Sequence, residues 1–442
     1  MMVSVSGVRG LLGEGMDPSV AVRYAAAYAQ VCGVSRVVVG RDSRASGPSL
    51  SSAVVSTLNF KGIDVTDIGI AATPTVEVMV GRTGADGGIV ITASHNDERW
   101  NALKFLDGRG EFIDADAVER IEALVRGGGS LFGVPSRIGA CTHDDTADAY
   151  HVDKILSLGL IDAERIARRG FKAAIDCVNG AGSRIVPLLL DRLGVDVRPM
   201  NTDVDRPFPH DPEHRPANLA DLSGSTRESG ADIGFACDPD ADRLVLVDGR
   251  GEVCSEELTL ALAADFVLGR EDGPLVANLS SSRLLDDVAS RHGTCCFRSR
   301  VGEANVVAVM KERGAVIGGE GNGGVIYPGV HYGRDAMTGM ALILQMLADE
   351  DTTLEAKIES LPSYTIIKEK IPASGGLESA GDRLRKEFAG RFETIDGIRI
   401  DMPEGWVHLR LSNTEPVIRI IAEAASGEEA AALIERAKRS IE

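Results

Sequence analysis

The chain has no run of eighteen apolar residues, so no helical membrane span is expected. Its opening, Met-Met-Val-Ser-Val-Ser-Gly, lacks a basic segment followed by an apolar core, so no secretory leader is expected either. Cysteine is sparse: seven residues, odd in number and without Cys-x-x-Cys spacing, which predicts reduced thiols in a cytosolic protein, with the adjacent Cys295 and Cys296 as core positions. Basic residues are outnumbered, 47 Lys and Arg against 66 Asp and Glu, and the formal charge of −19 argues against a nucleic-acid partner. What remains is an ordinary soluble composition, 44 % hydrophobic and 26 % charged, over 442 residues, long enough for two to four domains.

Four loops carry chemistry. In Ile89-Val-Ile-Thr-Ala-Ser-His-Asn-Asp-Glu-Arg-Trp-Asn-Ala-Leu-Lys104, an apolar strand stops at Thr92 and delivers Ser94 beside His95 and Asn96, with Lys104 ten residues on. A hydroxyl is a poor nucleophile without such neighbours, and among them it can carry a phosphoryl group. In Cys237-Asp-Pro-Asp-Ala-Asp-Arg243, Asp238, Asp240 and Asp242 follow a strand; at i, i+2 and i+4 of an extended segment they share a face. Three carboxylates so close need a cation between them, and oxygen-only ligands favour a hard one such as magnesium. An EF-hand is excluded, because its required glycine and glutamate fall on Arg243 and Gly249. Arg243 could hold a phosphate bridging to the metal.

The third loop, Gly318-Gly-Glu-Gly-Asn-Gly-Gly-Val-Ile-Tyr-Pro328, packs five glycines into seven residues, which permits close approach of a ligand, and offers Glu320 and Asn322 to a polyol or sugar. It is neither a Walker loop nor a dinucleotide fingerprint. In the fourth, Trp406 to Arg419, strand-like runs at 406–411 and 417–422 flank Arg410, Ser412, Asn413 and Thr414, a set suited to phosphate, with Arg419 able to join. A sugar phosphate on so acidic a protein requires a local positive cleft, predicted to gather Arg9, Arg41, Lys104, Arg243, Arg300 and Arg410. Repeated strand–loop–helix units, as at 36–64, 171–194 and 275–318, predict three α/β units and a smaller α+β C-terminal part.

These four loops, in this order, resemble the signatures of the α-D-phosphohexomutase family, as do Ser6-Gly-Val-Arg-Gly10 and Gly40-Arg-Asp-Ser-Arg-Ala-Ser46. The resemblance runs from about residue 4 to 422 and implies three α/β/α domains plus a C-terminal α+β domain, heart-shaped around a central cleft. The soft boundaries give 1–138, 139–250, 251–360 and 361–442. It implies an intramolecular phosphotransferase: Ser94 as a phosphoserine, Mg2+ on Ser94, Asp238, Asp240 and Asp242, and a hexose 1,6-bisphosphate intermediate. Lys104, Arg9, His95 and Arg243 would surround the transfer. Glu320, Asn322 and Arg300 would meet the sugar, and Arg410, Ser412, Asn413, Thr414 and Arg419 its distal phosphate.

Two departures stand out. Many bacterial members continue the sugar loop to a histidine; here Asn322-Gly-Gly324 stands instead, and His331 could compensate. Asp97 replaces the usual proline, adding charge near the serine and removing a rigid turn. The Gly-Glu-Gly-Asn-Gly-Gly loop and His331-Tyr-Gly-Arg-Asp335 resemble archaeal-type phosphoglucosamine mutases, which favours glucosamine 6-phosphate as substrate. Phosphomannomutase/phosphoglucomutase activity is the alternative. A non-catalytic sugar-phosphate-binding protein would predict loss of Ser94 or the aspartates, and a phosphatase would predict a base for water beyond the pieces a mutase needs. A cytoplasmic monomer or homodimer, bound to neither membrane nor nucleic acid, completes the expectation.

Overall fold

Short apolar runs bounded by glycine and polar loops become strands, and the stretches between them become helices with capped ends. The computed structural model describes residues 1–372, 377–411 and 417–441. Helix Pro18–Cys32 shows the local logic. Asp17 accepts from the Ser19 and Val20 amides, proline sits in the first turn, and Gly33 ends the helix at φ 64°.

Among the described residues, four sheets follow one another along the chain. The first has seven strands in the order Met2–Ser4, Gly7–Leu11, Trp100–Asp107, Gly87–Ile91, Arg36–Arg41, Asp64–Ile70, Cys141–His143, so it takes an edge strand from beyond residue 138. The second has four, Leu244–Asp248, Ile233–Cys237, Lys172–Asp176 and Asp196–Met200, and the third four, Cys296–Ser299, Leu275–Asn278, Ile317–Glu320 and Gly324–Ile326. The fourth is antiparallel, with Thr365–Pro372, Val417–Ala424, Gly405–Leu411, Ile398–Met402 and Arg391–Glu393 side by side, and helices Leu377–Glu387 and Gly427–Ile441 packed over its core.

The first three sheets repeat one device. Strands Gly87–Ile91, Ile233–Cys237 and Ile317–Glu320 each pair in parallel with an inner neighbour, then turn back into an antiparallel partner. The serine, aspartate and glycine loops are those three turns. All three are therefore hairpin connections, not strand-to-helix loops, because the strand after each loop returns to the same sheet.

The cores differ in reach. One apolar cluster runs from Val152 to Leu361 across the second and third sheets and includes Ala72 and Val78 from the first unit. The fourth unit has its own, from Leu384 to Ala437. All seven cysteines are unpaired. Cys295 is exposed and Cys296 half-buried, so neither sits in the core as the sequence suggested. Among the described residues no helix is long and apolar enough to cross a membrane.

Candidate active site

Strand Gly87–Ile91 is buried along its whole length and ends at a loop held from below. Asp42 accepts from Thr92 Oγ1 at 2.7 Å, and Thr92 Oγ1 in turn accepts from the Ser94 amide at 3.0 Å. Arg44, fully buried and paired with Asp42 at 2.8 Å, donates to the carbonyls of Ser94 (2.5 Å), Asn96 (2.7 Å), Asp97 (2.5 Å) and Trp100 (3.1 Å). One guanidinium thus takes up the inward-facing carbonyls that a tight loop leaves unpaired. Ser94 itself is held at φ 50°, a left-handed conformation unusual for a residue with a side chain.

The Ser94 hydroxyl donates to Asp238 Oδ2 at 2.9 Å and lies 3.4 Å from His95 Nδ1. The three aspartates are completely buried, and one carboxylate oxygen from each lies within 4.8 Å of the other two. They converge because the loop turns, with Ala241 at φ 50°, and not because it is extended. Lys104, brought in on strand Trp100–Asp107, donates to Asp240 Oδ2 at 2.6 Å and stands 3.5 Å from Asp242; Thr73 Oγ1 also donates to Asp240, at 2.6 Å. Asp240 Oδ1 and Asp242 Oδ1 have no hydrogen-bond partner. Buried, clustered carboxylates with two unengaged oxygens beside a serine hydroxyl fit a hard divalent cation.

The charges around this point are strongly coupled. Burial and the charges of Asp242 and Asp240 push Asp238 well above the usual carboxylate range. For Asp242, burial acts in the same direction, but Arg334, Lys104 and Arg243 outweigh it and hold the group below its ordinary value. Burial works to discharge Lys104, and Asp240 and Asp242 more than restore it. His95 is driven well below its usual value by the Arg243 charge, burial and Arg9, so it stays neutral.

These groups open into a cleft to which all four units contribute. One lobe, of about 380 Å3, is lined by Ser94, His95, Lys104, Arg243, Glu320, Asn322, Arg334 and Lys368, among others. The other, of about 490 Å3, shares Arg9, His95, Arg243 and Arg419 with it and adds Arg410. Arg9 donates to Asn96 Oδ1 at 2.6 Å. The Nε atoms of Arg243 and Arg410 are buried without a hydrogen-bond partner, which suits an incoming phosphate. Arg410 leans on Asp396 at 3.5 Å. Ser412, Asn413 and Thr414 lie outside the described residues.

The glycine loop is tighter than its composition suggested. A Cβ at Gly323, which sits at φ 86°, would meet the Leu244 carbonyl oxygen at 2.4 Å, and one at Gly324 would meet Arg334 Cδ at 2.2 Å. Those glycines make room for protein, not for a ligand. Glu320 is engaged from both sides: Oε1 accepts from Asn278 (2.8 Å) and the Gly302 amide (2.9 Å), and Oε2 accepts from Arg334 (2.9 Å). Asn322 Oδ1 has no hydrogen-bond partner.

Four side chains are not where the sequence reading put them. Arg41 lines a separate groove with Asp67, Cys141 and His143. Arg300 is exposed and lies outside the cleft, although its neighbours Val301 and Gly302 line it. His331 is buried behind the cleft, 3.1 Å from Glu77 and 3.5 Å from Asp335, and does not reach the glycine loop's open side. Asp97 turns outward to Arg99 at 2.6 Å, so its charge is spent at the surface.

Sequence reasoning missed Arg334, which bonds Asp242 (2.5 Å), Glu303 (2.8 Å) and Glu320 (2.9 Å) and so ties the aspartate loop to the glycine loop. It also missed the clamp role of Arg44, as well as His214 and Lys368, which line the cleft. Both arginines lie inside segments already singled out, Gly40–Ser46 and His331–Asp335, and their direction is the only thing the sequence withheld.

Models of the phosphoglucomutase/phosphomannomutase family match the chain four times: α/β/α domain I at residues 1–130, II at 149–251, III at 255–364, and the C-terminal domain at 372–440. A probable phosphoglucosamine mutase of Methanopyrus kandleri is 36 % identical over 96 % of this chain and 94 % of its own. A phosphoglucomutase/phosphomannomutase of Thermococcus kodakarensis is 37 % identical over 97 % and 96 %. In three dimensions, a phosphoglucomutase/phosphomannomutase family protein of Burkholderia thailandensis superposes with a TM-score of 0.86 at 29 % identity, covering 100 % of this chain and 98 % of the other. With all four domains present in order over nearly its whole length, the chain belongs to the phosphoglucomutase/phosphomannomutase family, the α-D-phosphohexomutases.

Proposed function

We propose that the protein interconverts a hexose 6-phosphate and the corresponding hexose 1-phosphate through a phosphoserine at Ser94 and a hexose 1,6-bisphosphate, and that glucosamine 6-phosphate is its substrate. The observation that carries this reading is the Ser94 hydroxyl 2.9 Å from Asp238, at the floor of a cleft whose walls are cationic in a protein of net charge −19.

Arg410 and Arg419 would hold the phosphate that is not reacting, while Glu320 and Asn322 meet the ring hydroxyls. In the first transfer the bond from phosphorus to the serine oxygen breaks and one to the sugar hydroxyl oxygen forms. The proton lost by that hydroxyl ends on Ser94 Oγ. His95 Nδ1, at 3.4 Å, is the neighbour able to take up and return it. After the bisphosphate turns end for end, the same atoms run in reverse and Ser94 is phosphorylated again. Mg2+ held by Asp238, Asp240, Asp242 and the Ser94 oxygen would supply positive charge to the transferring group. Lys104, Arg9 and Arg243 add fixed positive charge around it.

The choice of sugar rests on the glycine loop and on His331–Asp335, which resemble phosphoglucosamine mutases, as does the name of the Methanopyrus relative. The Thermococcus relative favours the second reading, phosphomannomutase/phosphoglucomutase. Phosphorus NMR separates them: glucosamine, mannose and glucose 6-phosphates are each offered with Mg2+ and a trace of hexose 1,6-bisphosphate. Fastest appearance of glucosamine 1-phosphate supports the proposal, and faster mannose or glucose conversion keeps the mutase but changes the sugar. Release of free phosphate alone would replace it with hydrolysis. Ser94→Ala should lose turnover by about 10³-fold or more while remaining folded.

A further inference from the structure

Behind the aspartate loop, where the first three units meet, lies a second cluster of ligating side chains that the phosphoryl-transfer reading does not use. His151 comes from helix Ala147–Leu156, and Asp335 caps helix Ala336–Glu350; His331 lies in the loop before it. His151 Nε2 stands 3.0 Å from Asp335 Oδ2, and His331 Nε2 stands 3.5 Å from the same oxygen. The three residues offer ligand atoms within 4.8 Å of one another. Ligand atoms on a tetrahedral zinc ion, with bonds of 2.0–2.1 Å, stand about 3.3 Å apart.

The outward side of each ligand is also supported. His151 Nδ1 is 3.0 Å from Thr75 Oγ1, and His331 Nδ1 is 3.1 Å from Glu77 Oε2, both partners lying on helix Thr73–Thr83. Asp335 Oδ1 accepts from the Met337 amide at 2.9 Å and the Thr338 amide at 3.2 Å. His151, with one nitrogen on the carboxylate and the other on a hydroxyl, has the arrangement that orients imidazole for a metal, while His331 brings both nitrogens near carboxylates without a directed bond to either. His151 is 0 %, Asp335 1 % and Glu77 2 % exposed, so two carboxylates share a dry pocket with the two histidines. Both ring nitrogens of His331 and both Glu77 oxygens lack a well-directed hydrogen bond.

We propose that His151, His331 and Asp335 form a structural site for a borderline divalent metal of the zinc type, backed by Thr75 and Glu77. Nitrogen ligands separate it from the all-oxygen aspartate site and select against magnesium. A metal there would join the second and third units, against a helix of the first, directly behind Arg334, which itself holds the aspartate loop.

Cobalt(II) is the probe. The full-length protein is stripped with chelator, saturated with Mg2+ to fill the aspartate site, and titrated with cobalt while visible absorption is followed. The expected result is one equivalent bound with the intense bands of a tetrahedral ion, displaced by zinc and lost in His151→Gln and His331→Gln. Zinc should also raise the Tm of the stripped wild type and leave that of His151→Gln unmoved. Should either variant fail to fold, Thr75→Val keeps all three ligands and removes one support. It should weaken cobalt binding about 10- to 100-fold. The proposal is overturned if no such bands form, if they persist unchanged in the variants, or if zinc leaves the wild-type Tm where it was; the cluster is then a proton-holding hydrogen-bond network.

Discussion

The two sides of the cleft are built differently. On one side, the serine and aspartate loops are pinned by buried charged groups, Arg44 beneath Ser94 and Lys104 and Arg334 across the aspartates. Beneath the aspartate loop the second and third units share a continuous apolar core, into which Ala72 and Val78 of the first unit also pack, while the strand below Ser94 belongs to the first unit's own core. On the other, Arg410 and Arg419 come from a unit with its own core. That unit meets the third along a polar seam, where Ser280 Oγ contacts His408 Nδ1 at 3.0 Å, the Arg283 amide donates to Glu423 at 2.9 Å, and the Val301 amide donates to Asp396 at 2.9 Å. An apolar seam fuses its partners, whereas a polar one can exchange its hydrogen bonds for water and open. In the mechanism proposed above, the reacting atoms would be held still, and the wall proposed to hold the distal phosphate would be the one that follows a turning intermediate.

The pinned side should be the more costly to disturb. Arg44→Met leaves Asp42 buried without its partner, so unfolding free energy should fall by about 3–5 kcal/mol in denaturant titrations. The displaced serine loop should lower kcat by about 10²-fold in the same preparation. If kcat survives that change, the clamp is not what positions Ser94. On the opposite wall Arg410→Ala should raise KM by about ten- to a hundredfold, the worth of a charge-assisted contact, with a much smaller change in kcat. An equal fall in kcat instead would mean that both walls act on the transition state.

The seam itself has a pH signature. Burial holds His408 down to about 4, below the ordinary histidine value. A histidine depressed in the folded state gives full stability above its unfolded value, near 6.5, and loses it as pH falls toward 4. Between those limits the loss is roughly 3 kcal/mol, and His408→Gln should flatten that part of the Tm–pH curve. The smallest effect belongs to Asp97→Asn. Its partner Arg99 is 80 % exposed, so stability should change by less than about 0.5 kcal/mol and turnover by less than about twofold.

Local motifs were legible in the sequence because their chemistry is written within a few residues: Ser94 with His95, the three aspartates, Glu320 with Asn322, Arg410. Direction was not. Arg41, Arg300 and His331 sit next to the right loops in sequence, but backbone geometry turns them to a side groove, to solvent and to a buried seam. Arg44 and Arg334 lie in recognised segments, yet the serine-loop carbonyls that Arg44 holds stand 50 to 56 residues away and the aspartate that Arg334 holds 92 residues away, where no spacing rule reaches. The alternation of strands and helices was equally visible, while the antiparallel return after each functional loop was not, since a strand's pairing partner leaves no mark in its own residues.

Ser94 occupies a backbone conformation that costs a residue with a side chain about 1–2 kcal/mol and costs glycine almost nothing. Any mutational drift indifferent to chemistry would gain by placing glycine there. On the proposed mechanism, Ser94→Gly is therefore expected to be at once more stable than the native protein and inactive.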